Sequence, residues 1–153
     1  MNHFKVTVIL VIGGLLAACA TLAAAVNEPT PGTDFSVSTE LSDEEAKAWV
    51  SIHSLSKEAL CMSLVDWPNK FGLIGEGGAT IISDGVERPV VSNFNYGTCI
   101  GAQCFLRLEP DQSLQGFIAY SEFGEPSAIK ALPNKTLRFS PHPIVCSRLK
   151  GNA

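Results

Sequence analysis

The sequence predicts a mainly β fold, a small antiparallel β-sandwich or barrel with an N-terminal helix, stabilised by disulfide bonds. Three observations lead to this prediction. Beyond residue 78, short apolar stretches recur between turn residues at a spacing of about 8–12 residues, which is typical of sandwiches and barrels. One of these turns contains Asp84-Gly85, a strong signal for a tight hairpin. Four cysteines follow an apolar N-terminal leader, as in exported domains with disulfide bonds.

The leader has a charged tip, with His3 and Lys5, and an apolar run that ends at Leu16-Ala17-Ala18-Cys19. This ending resembles the lipobox of a bacterial lipoprotein signal, in which the cysteine becomes the lipidated first residue after cleavage. The resemblance implies a signal peptide at residues 1–18 and fatty acyl chains such as palmitate on Cys19. Ala20, in place of an aspartate after the cysteine, implies an outer-membrane lipoprotein that faces the periplasm.

Two other interpretations of the leader remain open. Ala23-Ala24-Ala25 fits an ordinary cleavage site, which would release a soluble periplasmic or secreted protein beginning at Val26. The uncharged segment Val6–Val26 is also long enough for an uncleaved membrane helix, although its alanines and glycines make it weakly hydrophobic. All three interpretations place residues 27–153 outside the cytoplasm.

Residues 19–41 contain Pro29, Pro31 and Gly32 and a stretch rich in serine and threonine, which predicts a flexible tether. Residues 42–153 are predicted to form a single globular domain, since a chain of this length is typical of one domain.

The domain is predicted to begin with a helix. Ser42 is followed three residues later by Glu45, which is the spacing of a capping box, and the helix is expected to run to about His53. Residues 54–65 fit a continuation of this helix and a buried strand equally well. Trp67-Pro68 ends either element, because a proline disfavours helical geometry in the residue before it.

The rest of the chain is predicted to be antiparallel β structure. Residues 79–82 and 86–94 flank the hairpin turn, and Pro89 places the second of these strands at an edge or a bulge. Further strands are predicted at Cys104–Glu109, Leu114–Tyr120 and Thr136–Phe139, with a turn at Pro110-Asp111-Gln112.

With Cys19 set aside, four cysteines remain, Cys61, Cys99, Cys104 and Cys146. An even number in an oxidising compartment predicts two disulfides, and four cysteines allow three pairings. The favoured pairing is Cys99–Cys104, which closes a short loop, with Cys61–Cys146 as the long closure. A four-cysteine zinc site is the alternative, but thiols persist poorly outside the cytoplasm. No metal and no cofactor is therefore predicted.

Charge is unevenly distributed along the chain, whose formal net charge is −4. Residues 130–153 contain basic side chains and no acid. This end is expected to pack against the acidic half of the same domain, and the alternative is contact with anionic lipid headgroups or an acidic partner. A nucleic-acid partner is not expected, because the chain is acidic and shows no basic motif interleaved with aromatic residues.

One catalytic pattern occurs in the sequence. Ser54 and Lys57 have the Ser-x-x-Lys spacing of penicillin-recognising serine enzymes, and Ser83–Gly85 and Lys135–Leu137 follow in the order of that family. The second motif lacks its final asparagine, however, and the third lacks its final glycine. No catalytic residue is assigned on this basis.

Histidine chemistry is the remaining route to an enzyme. His53 could serve as the base of a triad with a serine and an aspartate, but no Gly-x-Ser-x-Gly elbow supports one. His142 lies between two prolines and is expected in an exposed turn. No histidines have the close spacing that a metal site requires.

The sequence therefore favours a non-catalytic, lipid-anchored envelope module that binds an envelope protein or a glycan. Phe94 and Tyr96 are the candidate contact residues, although both also fit the core of a hairpin. The alternative is a small hydrolase acting on cell-envelope material. A binding module should show an exposed aromatic patch, and a hydrolase should show a pocket with His53 or His142 beside a carboxylate and a nucleophile.

Overall fold

The computed structural model describes residues 28–91 and 101–151, and these residues are mainly β. The strands, in chain order, are β1 (Phe35–Ser42), β2 (Lys47–Ser54), β3 (Leu60–Ser63), β4 (Ala79–Ser83), β5 (Val86–Pro89), β6 (Phe105–Leu108), β7 (Ser113–Ala119), β8 (Thr136–Phe139) and β9 (Ile144–Val145). The helical elements are α1 (Pro126–Lys130) and three 3-10 helices, Gly101–Cys104, Tyr120–Glu122 and Cys146–Gly151. The leader, including Cys19, lies outside the described residues. Within residues 28–91 and 101–151, no helix is long and apolar enough to cross a bilayer.

The strands form three small antiparallel sheets, with the orders β1-β2-β7, β6-β3-β9 and β5-β4-β8. The predicted mainly β, antiparallel fold is confirmed. The turn at Pro110–Gln112 joins β6 to β7, which belong to different sheets, so it forms a corner between sheets. Asp111 adopts a positive φ of 65° at this corner, a conformation that aspartate tolerates better than most residues.

The helix predicted from Ser42 to His53 does not form, because this segment makes a turn followed by β2. The local contact expected of a cap is present, since the Ser42 hydroxyl accepts a hydrogen bond from the Glu45 N–H at 3.3 Å. Ala46 then adopts a φ of 54°, which ends any helical path and begins the return strand. In β2 every second residue is buried, and β-branched Val50 and Ile52 favour a strand.

The predicted tether is also too long. Phe35, assigned above to the tether at residues 19–41, is buried at the start of β1, which pairs with β2 along its whole length from Phe35–Ser54 to Ser42–Lys47. The apolar residues Val37 and Leu41 lie on the same face as Phe35 and pack against the core. The structured domain therefore begins well before residue 42.

Other predicted elements are found where they were expected. Residues 54–65, left open between helix and strand, contain the buried strand β3. The hairpin β4–β5 turns through Asp84 and Gly85, with φ values of 48° and 80°. Pro89 lies in β5, an edge strand, where the missing N–H removes no bond from the ladder.

The core lies between the sheets and is formed mostly by aliphatic and aromatic side chains. Its fully or almost fully buried members include Phe35, Val50, Ile52, Leu60, Met62, Ile74, Ile81, Leu108, Ile118 and Tyr120. Trp67 enters this core from the segment after β3 and packs edge-on against Phe139 of β8, with ring centroids 5.7 Å apart.

The predicted Cys61–Cys146 disulfide is confirmed and joins β3 to the residue after β9. The two cysteines are 85 residues apart in sequence and are both buried. Cys104 is also in a disulfide bond. Cys99, its predicted partner, lies outside the described residues.

A nearly buried lysine connects the first and third sheets. The Lys135 ammonium donates hydrogen bonds to the Asp43 carboxylate at 2.8 Å and to the carbonyls of Lys130 and Leu132 at 2.9 and 3.2 Å. Asp43 accepts a further bond at 2.9 Å from the hydroxyl of Tyr120, whose side chain is fully buried. These bonds to Lys135 and Tyr120 lower the pKa of the Asp43 carboxyl.

A second ion pair joins the basic C-terminal segment to the acidic half. Arg138 donates two hydrogen bonds to the Glu87 carboxylate, at 2.9 and 2.8 Å. Together with Lys135–Asp43, this pair shows two of the five basic side chains of residues 130–153 bound to acidic side chains earlier in the chain.

Replacing Cys61 and Cys146 by alanine together should lower the free energy of unfolding by about 4–5 kcal/mol, because the disulfide no longer restricts an unfolded loop of 85 residues. Urea denaturation of the double variant measures this loss. Substitution is preferred to a reducing agent, which would also break the disulfide of Cys104. A loss below about 1 kcal/mol would show that the loop-closure model does not describe this crosslink.

Candidate functional site

The outer face of the β1-β2-β7 sheet carries a pair of aromatic rings. Trp49 of β2 and Phe117 of β7 are cross-strand partners, and their ring centroids are 5.5 Å apart at an angle of 60°. The Lys47 ammonium lies 4.7 Å from the centroid of Phe117 and 5.3 Å from that of Trp49. The cation is thus held against two half-buried rings, an arrangement favoured by cation–π attraction.

Glu45, in the turn before β2, fixes this pair from one side. Its carboxylate accepts a hydrogen bond at 3.2 Å from the indole Nε1 of Trp49 and forms an ion pair at 3.4 Å with Lys47. The polar atoms of the tryptophan and the lysine therefore have protein partners, while part of each side chain stays in contact with solvent.

A tight loop at residues 68–73 displays a further aromatic residue beside the pair. The Asn69 side-chain oxygen accepts hydrogen bonds from the N–H groups of Phe71 and Leu73 at 2.8 and 3.2 Å, and the Asn69 N–H donates to the Leu73 carbonyl at 2.9 Å. Phe71 lies at the tip and is 66% exposed, with the Lys70 ammonium 5.0 Å from its ring centroid. The loop thus has a defined backbone and an exposed phenylalanine.

Gly72 connects this loop to the aromatic pair. Its φ is +79°, its carbonyl accepts a hydrogen bond at 3.0 Å from the N–H of Ala119, and a Cβ built on it would lie 2.5 Å from the Phe117 ring. Only glycine permits both this conformation and this approach. The loop backbone therefore lies against the ring of Phe117. The side chains of Lys47, Trp49, Lys70, Phe71 and Phe117 are here together called the aromatic–lysine patch.

The predicted contact residues Phe94 and Tyr96 lie outside the described residues, and their role stays a prediction. The aromatic–lysine patch was not predicted from the sequence. The available local signal was Asn69 followed by Gly72 around Phe71, a turn pattern that exposes its central residue. Trp49 and Phe117 come together in the patch only because β2 pairs with β7, and this pairing is not visible in the local sequence.

The same sheet face brings together a serine, a histidine and an aspartate. His53 Nδ1 lies 3.0 Å from the Ser113 hydroxyl, its cross-strand partner, and His53 Nε2 lies 3.9 Å from the carboxylate of Asp111. In a hydrolase triad the carboxylate is hydrogen-bonded to the imidazole and buried, so that it orients the ring. Here the Asp111 side chain is 98% exposed and beyond hydrogen-bond distance, so solvent weakens its effect on His53.

Ser54 and Lys57 do not have the arrangement that a Ser-x-x-Lys catalytic motif requires. Ser54 ends β2 with its side chain fully buried, and the residues that follow it are not helical. One helical turn would be needed to bring Lys57 beside the serine.

A separate groove of about 580 Å³ lies between the N-terminal segment and the residues that follow β8. It is lined by Glu28, Pro29, Pro31, Phe35, Val37, Phe139, Ser140, Pro141, His142, Pro143 and Ile144. Burial raises the pKa of nearby Asp66, an effect that the charge of His142 opposes. Most of the residues that line the groove are apolar, and neither His53 nor Ser113 is among them.

No group of three or more histidine, cysteine, aspartate and glutamate side chains within residues 28–91 and 101–151 is arranged to hold a metal ion.

Replacing Gly72 by alanine should destabilise the protein more than replacing Gly77 by alanine. Both residues have a positive φ near 78°, which costs alanine about 1–2 kcal/mol, but only at Gly72 does the new Cβ meet the ring of Phe117. Urea denaturation of the two variants separates backbone strain from this clash, and fluorescence reports a change around Trp49 in the Gly72 variant. Equal losses of stability would contradict the close packing of the loop on the aromatic pair.

No family model, curated protein or solved structure matches this chain.

Proposed function

We propose that this protein is a non-catalytic binding module of the cell envelope, held at the membrane by a lipid on Cys19, and that it contacts an envelope protein or a glycan through the aromatic–lysine patch. The observation that carries this proposal is Phe71, a large apolar side chain that is 66% exposed at the tip of a hydrogen-bonded loop. The lipobox-like ending at Cys19 supports the anchor, and the exposed phenylalanine supports the contact surface.

The exposure of Phe71 favours a role in binding over a role in folding. Its side chain buries little area in the domain, so its contribution to the hydrophobic core is small. The bonds from Asn69 and the fit of Gly72 fix the loop before any partner arrives, which reduces the entropy lost on binding. Aromatic side chains held in this way are typical centres of interfaces.

The rest of the patch extends this contact surface. Lys47 and Lys70 place ammonium groups beside the rings of Phe117 and Phe71, so a partner would meet apolar and cationic groups together. The aromatic rings also suit the apolar faces of sugar rings. The patch thus fits a protein or a glycan that carries acidic or hydroxyl groups next to an apolar surface.

A lipid on Cys19 would leave the patch free for this partner. Each acyl CH₂ buried in the membrane contributes about 0.8 kcal/mol, so several chains hold a small domain without help from its surface. Residues 20–27 lie between the cysteine and the segment at Glu28–Asp34, which already packs against the domain, and eight residues reach at most about 28 Å when extended. The domain can therefore reach partners away from the membrane surface.

A small hydrolase is the second candidate, favoured by the contact between His53 and Ser113. Three features weigh against it. The carboxylate of Asp111 is solvated and lies 3.9 Å from the imidazole, the serine is bound to Nδ1, and the cluster lies on a sheet face rather than in the groove. The contact is explained more simply as a cross-strand hydrogen bond.

Photo-crosslinking in cells tests the patch. A photoreactive benzoylphenylalanine in place of Phe71 should give a discrete crosslinked product, whereas the same residue in place of Val86 should not. Val86 is a matched control, because it is 55% exposed and lies in β5, in a different sheet. Equal crosslinking at both positions, or none at Phe71, would refute the patch. An ester or amide hydrolysis that disappears in a Ser113→Ala variant would favour the hydrolase instead.

Intact mass spectrometry under non-reducing conditions tests the anchor. Protein purified from membranes should begin at Cys19, carry acyl chains, and have a mass about 4 Da below that of the form with four thiols, because two disulfides remove four hydrogens. A soluble species that begins at Val26 would refute the anchor and leave the proposal for the patch unchanged.

A further inference from the structure

The groove opens between two strands that each form the edge of a sheet. Among residues 28–91 and 101–151, β1 is the last strand of the β1-β2-β7 sheet and β8 is the last strand of the β5-β4-β8 sheet. The two strands pack against each other, and Lys135 and Asp43 join them at one end through a bond of 2.8 Å. At the other end, Phe35 and Val37 of β1 and Phe139 of β8 line the groove.

The backbone of β1 has unpaired groups on the side away from β2. The Asp34 carbonyl faces the β2 side, because it accepts a hydrogen bond at 2.9 Å from the N–H of Leu55, just beyond β2. The carbonyl of the next residue, Phe35, faces away from β2 and accepts a hydrogen bond at 2.7 Å from the N–H of Gly32. Because these directions alternate along a strand, the N–H and C=O groups of Val37 and Thr39 also face away from β2. Across the part of the chain that the structure describes, these groups form no hydrogen bond.

β8 also has backbone groups that face away from its sheet. The Ala79 carbonyl accepts a hydrogen bond at 3.0 Å from Val90, so it faces β5, and its neighbour Thr80 faces β8. Arg138, the partner of Thr80, therefore pairs with β4. The backbone groups of Leu137 and Phe139 on either side of it face away from the sheet.

β1 contains no lysine, proline or bulge over its eight residues, and these are three of the features that commonly protect edge strands. Its one charged side chain is Glu40, which an added strand with a basic residue would neutralise. Its register with β2 is continuous from Phe35 to Ser42. The groove beside this edge is lined by Phe35, Val37 and Phe139, so a strand that adds to β1 also buries its own apolar side chains against them.

The charge on the β1 side of the groove is negative, while the basic side chains Lys135 and Arg138 on the β8 side are already paired with Asp43 and Glu87. Residues 28–42 contain Glu28, Asp34 and Glu40 and no basic side chain. Glu28 lines the groove, and Glu40 lies in β1. A segment with lysine or arginine therefore suits the edge better than an acidic one.

We propose that the groove binds an extended, basic peptide segment of another protein, which adds to β1 as a strand and places alternate apolar side chains against Phe35, Val37 and Phe139. Backbone hydrogen bonds to Val37 and Thr39 provide affinity, and the apolar groove selects the side chains, as in other cases of strand addition. This site is separate from the aromatic–lysine patch and does not depend on it.

The test uses the full chain and a library of blocked nine-residue peptides, with valine or isoleucine at alternate positions and lysine or threonine between them. Fluorescence anisotropy should detect binding, and the amide hydrogens of Val37 and Thr39 should exchange more slowly with the bound peptide present. N-methylation of the peptide residues that face β1 should weaken binding at least tenfold, whereas N-methylation of the other alternate set should have a smaller effect. The absence of binding by every library member would overturn the proposal.

Substitution of Val37 provides an independent test on the protein side. Val37→Pro removes an N–H that faces away from β2 and should weaken peptide binding at least tenfold, while Val37→Thr keeps the N–H and should retain binding. Unchanged binding by the proline variant would overturn the proposal. If that variant does not fold, the two N-methylated peptide sets decide the question, and equal effects of both sets count against strand addition.

Discussion

The nearly buried ammonium of Lys135 is the interaction on which the arrangement of the sheets depends. The side chain is only 9% exposed, and a charge in that position is costly unless acceptors surround it. The acceptors come from three places, namely Asp43 in the β1–β2 turn and the carbonyls of Lys130 and Leu132. The turn, the α1 segment and the start of β8 must therefore meet at one point.

This constraint also brings together two strands that belong to different sheets and form no ladder with each other, β1 and β8. The ion pair holds the end of β1 near the start of β8, and the apolar residues Phe35 and Phe139 approach each other farther along. Both of these residues line the groove. The ionic contact thus joins the first sheet to the third at the end of the two strands opposite the groove.

The sequence predicted those features that local chemistry determines. Asp84-Gly85 identified the hairpin, Pro89 identified an edge, and the count of cysteines led to Cys61–Cys146. The prediction of a helix at Ser42 was wrong for two reasons. The same hydrogen bond between the serine side chain and the glutamate N–H also stabilises a tight turn. The alternation of buried and partly exposed residues in the following segment favours a strand over a helix. The aromatic–lysine patch could not be predicted locally, since Trp49 and Phe117 meet only through long-range strand register.

The order of the strands also affects when the domain can fold. The central strands β2, β3 and β4 all lie before residue 84, while β6, β7, β8 and β9, which complete their sheets, begin at residue 105 or later. In a growing or translocating chain, each of the three central strands therefore has at least one edge without its hydrogen-bonding partner until the last third of the chain emerges. Pairing between strands that are this far apart in sequence slows folding and prolongs the period in which unpaired edges can aggregate. A truncated chain would retain those edges permanently, which makes it a ready substrate for proteolysis.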